Sequence, residues 1–157
     1  MLTPEDLLGA RILIVDDEPD IVEVLRFKLA AEGYRHIRST STSSEALGLY
    51  RECKPDLVFC DLRMPGMDGF QVIEALSAEE ATGSLPLLVM TAADDPDSRL
   101  RAFGLGAKDF ISKPLNFPEV VVRMRNLLQV RLLYNRLTES NTDLGHVTRR
   151  LEAVLDA

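Results

Sequence analysis

Cysteine and histidine are scarce in this chain of 157 residues, with two of each. Cys53 and Cys60 form neither a CxxC pair nor a disulfide framework. Both are read as reduced thiols, with Cys60 filling a buried strand. His36 and His146 have no His, Cys or carboxylate at ligand spacing, so both are read as surface residues rather than metal ligands. No apolar run approaches the ~18 residues that span a bilayer, so no membrane partner is expected. The opening MLTPEDLLGA is acidic and lacks the basic-then-apolar pattern of a signal peptide, which points to a cytoplasmic protein. Basic excess is missing as well. The net charge is −7, and residues 115–157 carry six basic and five acidic side chains, so the negative charge is concentrated on residues 1–114. A body that binds nucleic acid directly would show a basic stripe instead.

What is present is an ordinary globular composition, 46% hydrophobic and 27% charged, at a length that suits one domain with an appendage. Five short β-prone runs alternate with amphipathic stretches: 11–15 (RILIV), 34–39 (YRHIRS), 56–60 (DLVFC), 85–90 (LPLLVM) and 108–112 (KDFIS). The first, third and fourth are continuously apolar, as strands covered on both faces must be. The second alternates, which suits a sheet edge. Helix punctuation falls between the runs. Pro19 opens the first helix and Gly33 follows it. Thr42 with Glu45 has capping-box spacing before the second helix. Asp68 caps the third and Gly83 ends it, Asp95–Pro96 opens the fourth, and Asn116 with Glu119 opens the fifth. The expected fold is α/β, a doubly wound (βα)5 parallel sheet in the order 2-1-3-4-5. Ligands of such sheets bind at the carboxyl ends of the strands, near the switch point.

Those ends carry Asp16 and Asp17 after the first run, Asp61 after the third, Thr91 after the fourth and Lys113 after the fifth. With the first and third strands adjacent, three carboxylates converge beside a hydroxyl and an ammonium. Crowded carboxylates repel one another, and a hard cation such as Mg²⁺, with Mn²⁺ as a substitute, relieves that cost with oxygen ligands. A cation there also lets a dianionic phosphoryl group approach an acidic pocket. Transfer then needs mainly in-line positioning and charge neutralisation, and a carboxylate can act as the nucleophile.

The segments ILIVDDEP, DLVFCDLRMPGMDGF, LLVMTA and GAKDFISKP, in this order over roughly residues 10–130, resemble the response-regulator receiver family of two-component signalling. The resemblance implies a flavodoxin-like fold and a phosphoacceptor that is regulatory rather than an enzyme. It implies Asp61 as the acceptor, with phosphoryl groups arriving from a sensor histidine kinase or phosphotransfer protein. It further implies Mg²⁺ held directly by Asp17, Asp61 and the backbone carbonyl of Arg63, with Asp16 acting mainly through water. Thr91 and Lys113 would bind the phosphoryl oxygens. Thr91 and Phe110 would form the switch that alters the face made by the fourth helix, fifth strand and fifth helix. The family often has Tyr where this chain has Phe110, so no phenolic hydroxyl is available here. Arg63 and Ala93 stand where the family's phosphoryl lifetime is influenced. Neither histidine looks like a phosphorelay histidine.

From Val130 onward a 3-4 rhythm runs through Val130, Leu133, Leu137, Ser140, Leu144, Val147, Leu151 and Val154, and seven of these eight positions are apolar. No proline interrupts residues 119–157, so the fifth helix is expected to continue into a coiled coil. Leu127 and Leu128 lie off that seam and should pack on the sheet. The expected division is residues 1–10 as a lead-in, 11–129 as the receiver, and 130–157 as a coiled-coil arm forming a parallel homodimer. The competing arrangement folds the arm back on its own domain. The rhythm still runs at Ala157, so the expectation is the regulatory part of a larger signalling protein whose output lies outside this chain. Two other classes compete with this reading. A constitutive coiled-coil adaptor would carry the same arm. An aspartyl-phosphate phosphohydrolase of the haloacid-dehalogenase type needs a second Asp two residues after the nucleophile, where Arg63 stands.

Overall fold

The computed structural model describes residues 2–80, 84–92 and 95–143, with side chains as far as residue 139. Five parallel strands form one sheet in the order β2-β1-β3-β4-β5: β1 Arg11–Val15, β2 His36–Thr40, β3 Leu57–Asp61, β4 Leu87–Ala92 and β5 Asp109–Lys113. The helices are α1 Pro4–Leu8, α2 Pro19–Ala31, α3 Ala46–Cys53, α4 Gly69–Glu79, α5 Pro96–Leu105 and α6 Phe117–Asp143, with a 3-10 turn at Ser43–Glu45.

The central strands β1, β3 and β4 are almost entirely apolar because both sheet faces are covered there. Successive residues point to opposite faces. Ile12 and Ile14 join Leu57, Phe59, Leu88 and Met90 on the face covered by α2 and α6. Leu13 and Val15 join Val58, Cys60, Leu87 and Val89 under α3, α4 and α5. The edge strand β2 alternates exposed and covered residues, as its sequence anticipates. Along α6 the buried stripe is Val120, Met124 and Leu128 at four-residue spacing, and Leu127 packs against the same cluster. Cys60 is fully buried, which with the neighbouring Asp61, Asp16 and Asp68 pushes its thiol up and leaves it an unreactive filler.

Several boundaries differ from the sequence expectation. The second, third, fourth and fifth strands begin one or two residues later than the apolar runs. Pairing with neighbours sets strand limits, and it extends β5 through Lys113 opposite Ala92. Thr42 does not cap the second of the expected helices. The Thr40 hydroxyl donates to the Glu45 carboxylate and accepts the Thr42 N–H, so the chain makes a 3-10 turn before α3 starts at Ala46. Asp68 forms a full capping box with Gln71, Asp95 accepts from the Ser98 N–H, and Asn116 accepts from the Glu119 N–H. Gly83 and Ala93 lie outside the described residues. The stretch read as a lead-in contains α1, capped by a reciprocal Thr3–Asp6 box. Leu7 and Leu8 of this helix pack against the core beside α6.

Past Leu128, polar side chains hold α6 to the domain. Arg131 donates to Glu80 at 3.0 Å and to Ser84 at 2.6 Å. Asn135 reaches Asp56 at 3.4 Å, and Arg136 pairs with Asp6 of α1 at 2.7 Å. Among the described residues no helix is long and apolar enough to cross a membrane.

Candidate functional site

The carboxyl ends of β1, β3 and β5 place five charged side chains together. Asp16 follows β1, is fully buried, and accepts the Glu18 N–H at 2.9 Å. Asp61 ends β3, is 4% exposed, and accepts the Arg63 N–H at 3.3 Å. Lys113 ends β5 and spans the gap. Its Nζ lies 3.0 Å from Asp16 Oδ2, 3.2 Å from Asp61 Oδ2 and 3.3 Å from Glu18 Oε1. Asp16, Asp17, Glu18 and Asp61 each offer a carboxylate oxygen within 4.8 Å of the others.

The local backbone is arranged to permit this. Gly69, the first residue of α4, lies against the end of β3, and a Cβ there would collide with the Asp61 carbonyl oxygen and Leu62 Cα. Its N–H donates to the Leu62 carbonyl at 3.1 Å. Glycine is therefore required by close approach, and that approach anchors the chain just after Asp61.

Electrostatically the pocket is under-compensated. Burial, and then the Asp16 carboxylate, push the Asp61 carboxyl up to about 7, against the downward pull of Lys113 and the Arg63 N–H. Burial lowers the Lys113 ammonium, but its bonds to Asp16 and Asp61 outweigh that effect and leave it raised. One ammonium facing three carboxylates leaves negative charge over, and the donor set is all oxygen. That combination fits a hard divalent cation such as Mg²⁺.

The residue pattern matches the family described as response regulator receiver domain over residues 12–125. This chain belongs to that family. Among curated relatives, this chain is 36% identical to the response regulator GtcR of Aneurinibacillus migulanus, covering 90% of this chain and 59% of GtcR. It is 34% identical to the response regulator PleD of Caulobacter vibrioides over 84% of this chain and 29% of PleD. The chain thus spans less than two thirds of these relatives' own lengths. A crystal structure of a response regulator from Chloroflexus aurantiacus superposes with a TM-score of 0.72 at 33% identity, covering 77% of this chain and 98% of that one. Receivers are regulatory phosphoacceptors that histidine kinases phosphorylate, and they bind Mg²⁺ at an acidic cluster such as the one found here.

Within the receiver, Asp16, Asp17, Asp61 and Lys113 are brought together as the strand-end argument expects. Thr91 is buried on β4, one residue past Met90, the partner of Asp61, and its hydroxyl turns to the Ala92 carbonyl at 3.5 Å. Phe110 is only partly covered and packs on the α5 side of the sheet. Arg99 stacks 4.2 Å from its ring centre, Arg123 lies 5.5 Å away, and Phe103 meets it edge-on at 6.1 Å. Val130, Leu133 and Leu137 are exposed on α6, while Leu144, Val147, Leu151 and Val154 lie outside the described residues.

Two contacts were not read from the sequence. Glu18 joins the acidic cluster, and its signal was the third acid in the run Asp16-Asp17-Glu18. Arg63 reaches across to Asp95, the cap of α5, at 3.0 Å. Nothing local announces that pair, since the two residues are 32 positions apart.

Proposed function

We propose that this receiver takes a phosphoryl group on Asp61 from the phosphohistidine of a sensor histidine kinase or a phosphotransfer protein. An Asp61 carboxylate oxygen attacks phosphorus, the new O–P bond forms, and the P–N bond breaks as the imidazole leaves with its electron pair and takes up a proton. The observation that carries this reading is the Lys113 ammonium, held 3.2 Å from a buried Asp61 carboxylate that already crowds Asp16. Asp17, Asp61 and the Arg63 carbonyl are the direct Mg²⁺ ligands in this reading, with Asp16 acting through water and Mn²⁺ able to substitute. When bound, Mg²⁺ supplies positive charge that offsets both the crowded carboxylates and the incoming phosphoryl oxygens. Lys113 and the Thr91 hydroxyl bind those oxygens, and the response leaves the pocket through Thr91 and Phe110 toward α5, β5 and α6.

The same reading makes residues 11–129 the receiver and 130–157 a coiled-coil arm that dimerises in parallel. Support comes from the exposure of Val130, Leu133 and Leu137, 69%, 47% and 65%, on α6 opposite the side tied down by Leu128, Arg131 and Asn135. The relatives are longer than this chain, consistent with a regulatory unit that acts on an output elsewhere. The test is incubation with Mg²⁺ and acetyl phosphate, then mass spectrometry of the intact protein. The expected result is a single phosphoryl adduct that Asp61→Asn abolishes. An adduct that survives Asp61→Asn, or none in the wild type with either acetyl phosphate or a phosphorylated histidine kinase, overturns the reading.

A further inference from the structure

Glu18 is the one member of the acidic cluster to which the proposed phosphoryl chemistry assigns no role. Its position is unusual for its place in the fold. It is the N-cap residue of α2, where a short polar side chain would normally accept the helix's free N–H groups, yet its side chain makes no capping bond. Instead Oε1 lies 3.3 Å from Lys113 Nζ. The Glu18 N–H bonds to Asp16 Oδ1 at 2.9 Å, which fixes the root of the side chain beside the pocket. The ammonium donates hydrogen bonds to Asp16 and Glu18 and makes an ion pair with Asp61, so three carboxylates surround one positive charge. Asp16 and Asp61 approach from the buried side. Glu18, with its side chain 57% exposed, covers the ammonium from the solvent side, which is where a phosphoryl donor must enter.

We propose that Glu18 is a positioning residue that holds Lys113 in the resting pocket and competes with the phosphoryl group for it. The inference rests on the reading of Asp61 as acceptor. Loading Asp61 places three new anionic oxygens within reach of an ammonium that already donates to Asp16 and Glu18 and pairs with Asp61. Lys113 satisfies them by releasing its most exposed partner, and that partner is Glu18. The freed carboxylate then sits at the N-terminus of α2, where the helix dipole favours an anion. Phosphorylation thus exchanges one ion pair for another and alters how α2 begins, at the opposite edge of the pocket from Thr91 and Phe110.

The test compares wild type, Glu18→Gln and Glu18→Asp in the full chain. Gln removes the competing charge. Asp keeps the charge at the mouth and is a better cap, but it is one methylene too short to hold Lys113 where Glu18 does. Two quantities are measured at saturating Mg²⁺: calorimetric affinity for beryllofluoride, and the rate of adduct formation with acetyl phosphate followed by mass spectrometry. Both variants are expected to bind beryllofluoride 3- to 10-fold more tightly than wild type and to load faster, with thermal midpoints close to wild type. If Glu18→Asp matches wild type while Glu18→Gln does not, the effect is only the charge at the mouth and the positioning role is overturned. Unchanged affinity in both variants overturns it as well. A wild type that binds no beryllofluoride and forms no adduct would instead discard Asp61 as the acceptor, so the two failures are distinct.

Discussion

Replacing Asp61 by Asn should make the metal-free protein more stable, and the size of the gain follows from the pocket. The Asp61 carboxyl is raised from an ordinary 3.8 to about 7, first by burial and then by Asp16. A raised folded-state value means the folded chain holds that proton more tightly than the unfolded chain. This group's contribution is therefore fully present below about pH 4, declines as pH rises toward 7, and is lost above it. Three units correspond to about 4 kcal/mol. Relaxation of the pocket and entry of water take a share, so a net gain of about 2 kcal/mol for Asp61→Asn at pH 8 is expected, falling toward zero near pH 4. In a domain of this size that is a rise of roughly 6–10 °C in thermal midpoint. Three carboxyls outside the pocket titrate with the opposite slope. Asp6 is held low by its bonds to Thr3, Glu79 by Arg51, and Asp95 by Ser98 and Arg63. Those contributions vanish as pH falls, so the informative quantity is the difference between variant and wild type. Melts with EDTA at pH 5, 6, 7 and 8 measure it, and a parallel series with Mg²⁺ provides the control. The wild type should gain about 2.7 kcal/mol at a hundred times its dissociation constant, and the variant less, because a ligand is gone. A variant that melts no higher than wild type in EDTA at pH 8, or a difference that does not grow with pH, would refute the electrostatic account of the pocket.

Three further outcomes follow from the packing. Gly69→Ala should cost about 2 kcal/mol or more by urea denaturation, because a Cβ meets backbone of Asp61 and Leu62 that cannot swing away. An unshifted midpoint would show that α4 can back off from β3. Glu80→Gln removes the charge opposite Arg131, where both side chains are 13% exposed, and should cost about 2–3 kcal/mol in the same assay. Equal midpoints would mean that solvent or Ser84 already balances the guanidinium. The double variant Leu133→Asp, Leu137→Asp should convert a dimer to a monomer by light scattering while leaving the thermal midpoint of the receiver intact. A wild type that is monomeric at high concentration, with and without beryllofluoride, would count against the coil.

Most of the sheet was legible because each strand carries its own signal. RILIV, DLVFC and the apolar run before Thr91 can only be covered on both faces, and the punctuation at Pro19, Asp68 and Asp95 marks where the helices start. The pocket was legible for the same reason, since Asp16 directly follows a strand, Asp61 and Lys113 each end one, and parallel order brings those ends together. Contacts that join distant segments through single side chains left no such pattern. The Thr40–Glu45 bond displaced an apparent capping box, and Arg136 with Asp6 joins residues 130 positions apart. The helix α1 was readable in principle, from Thr3-Pro4 followed by Asp6, but a stretch of five helical residues is too short to show periodicity.

The tether from Arg131 to Arg136 has a mechanical consequence. With its first half seated on the sheet through Val120, Met124 and Leu128 and its next turns strapped to Glu80, Asp56 and Asp6, α6 is clamped over much of its length rather than hinged at the domain edge. Its 27 residues make a rod about 40 Å long. A clamped rod transmits tilt and axial twist from its root instead of absorbing them in a flexible joint. Each degree by which the clamped helix tilts as a unit, carrying its contacts with it, moves its far end by about 0.7 Å relative to its β5 end, so a small rotation can still reposition whatever grips the other end.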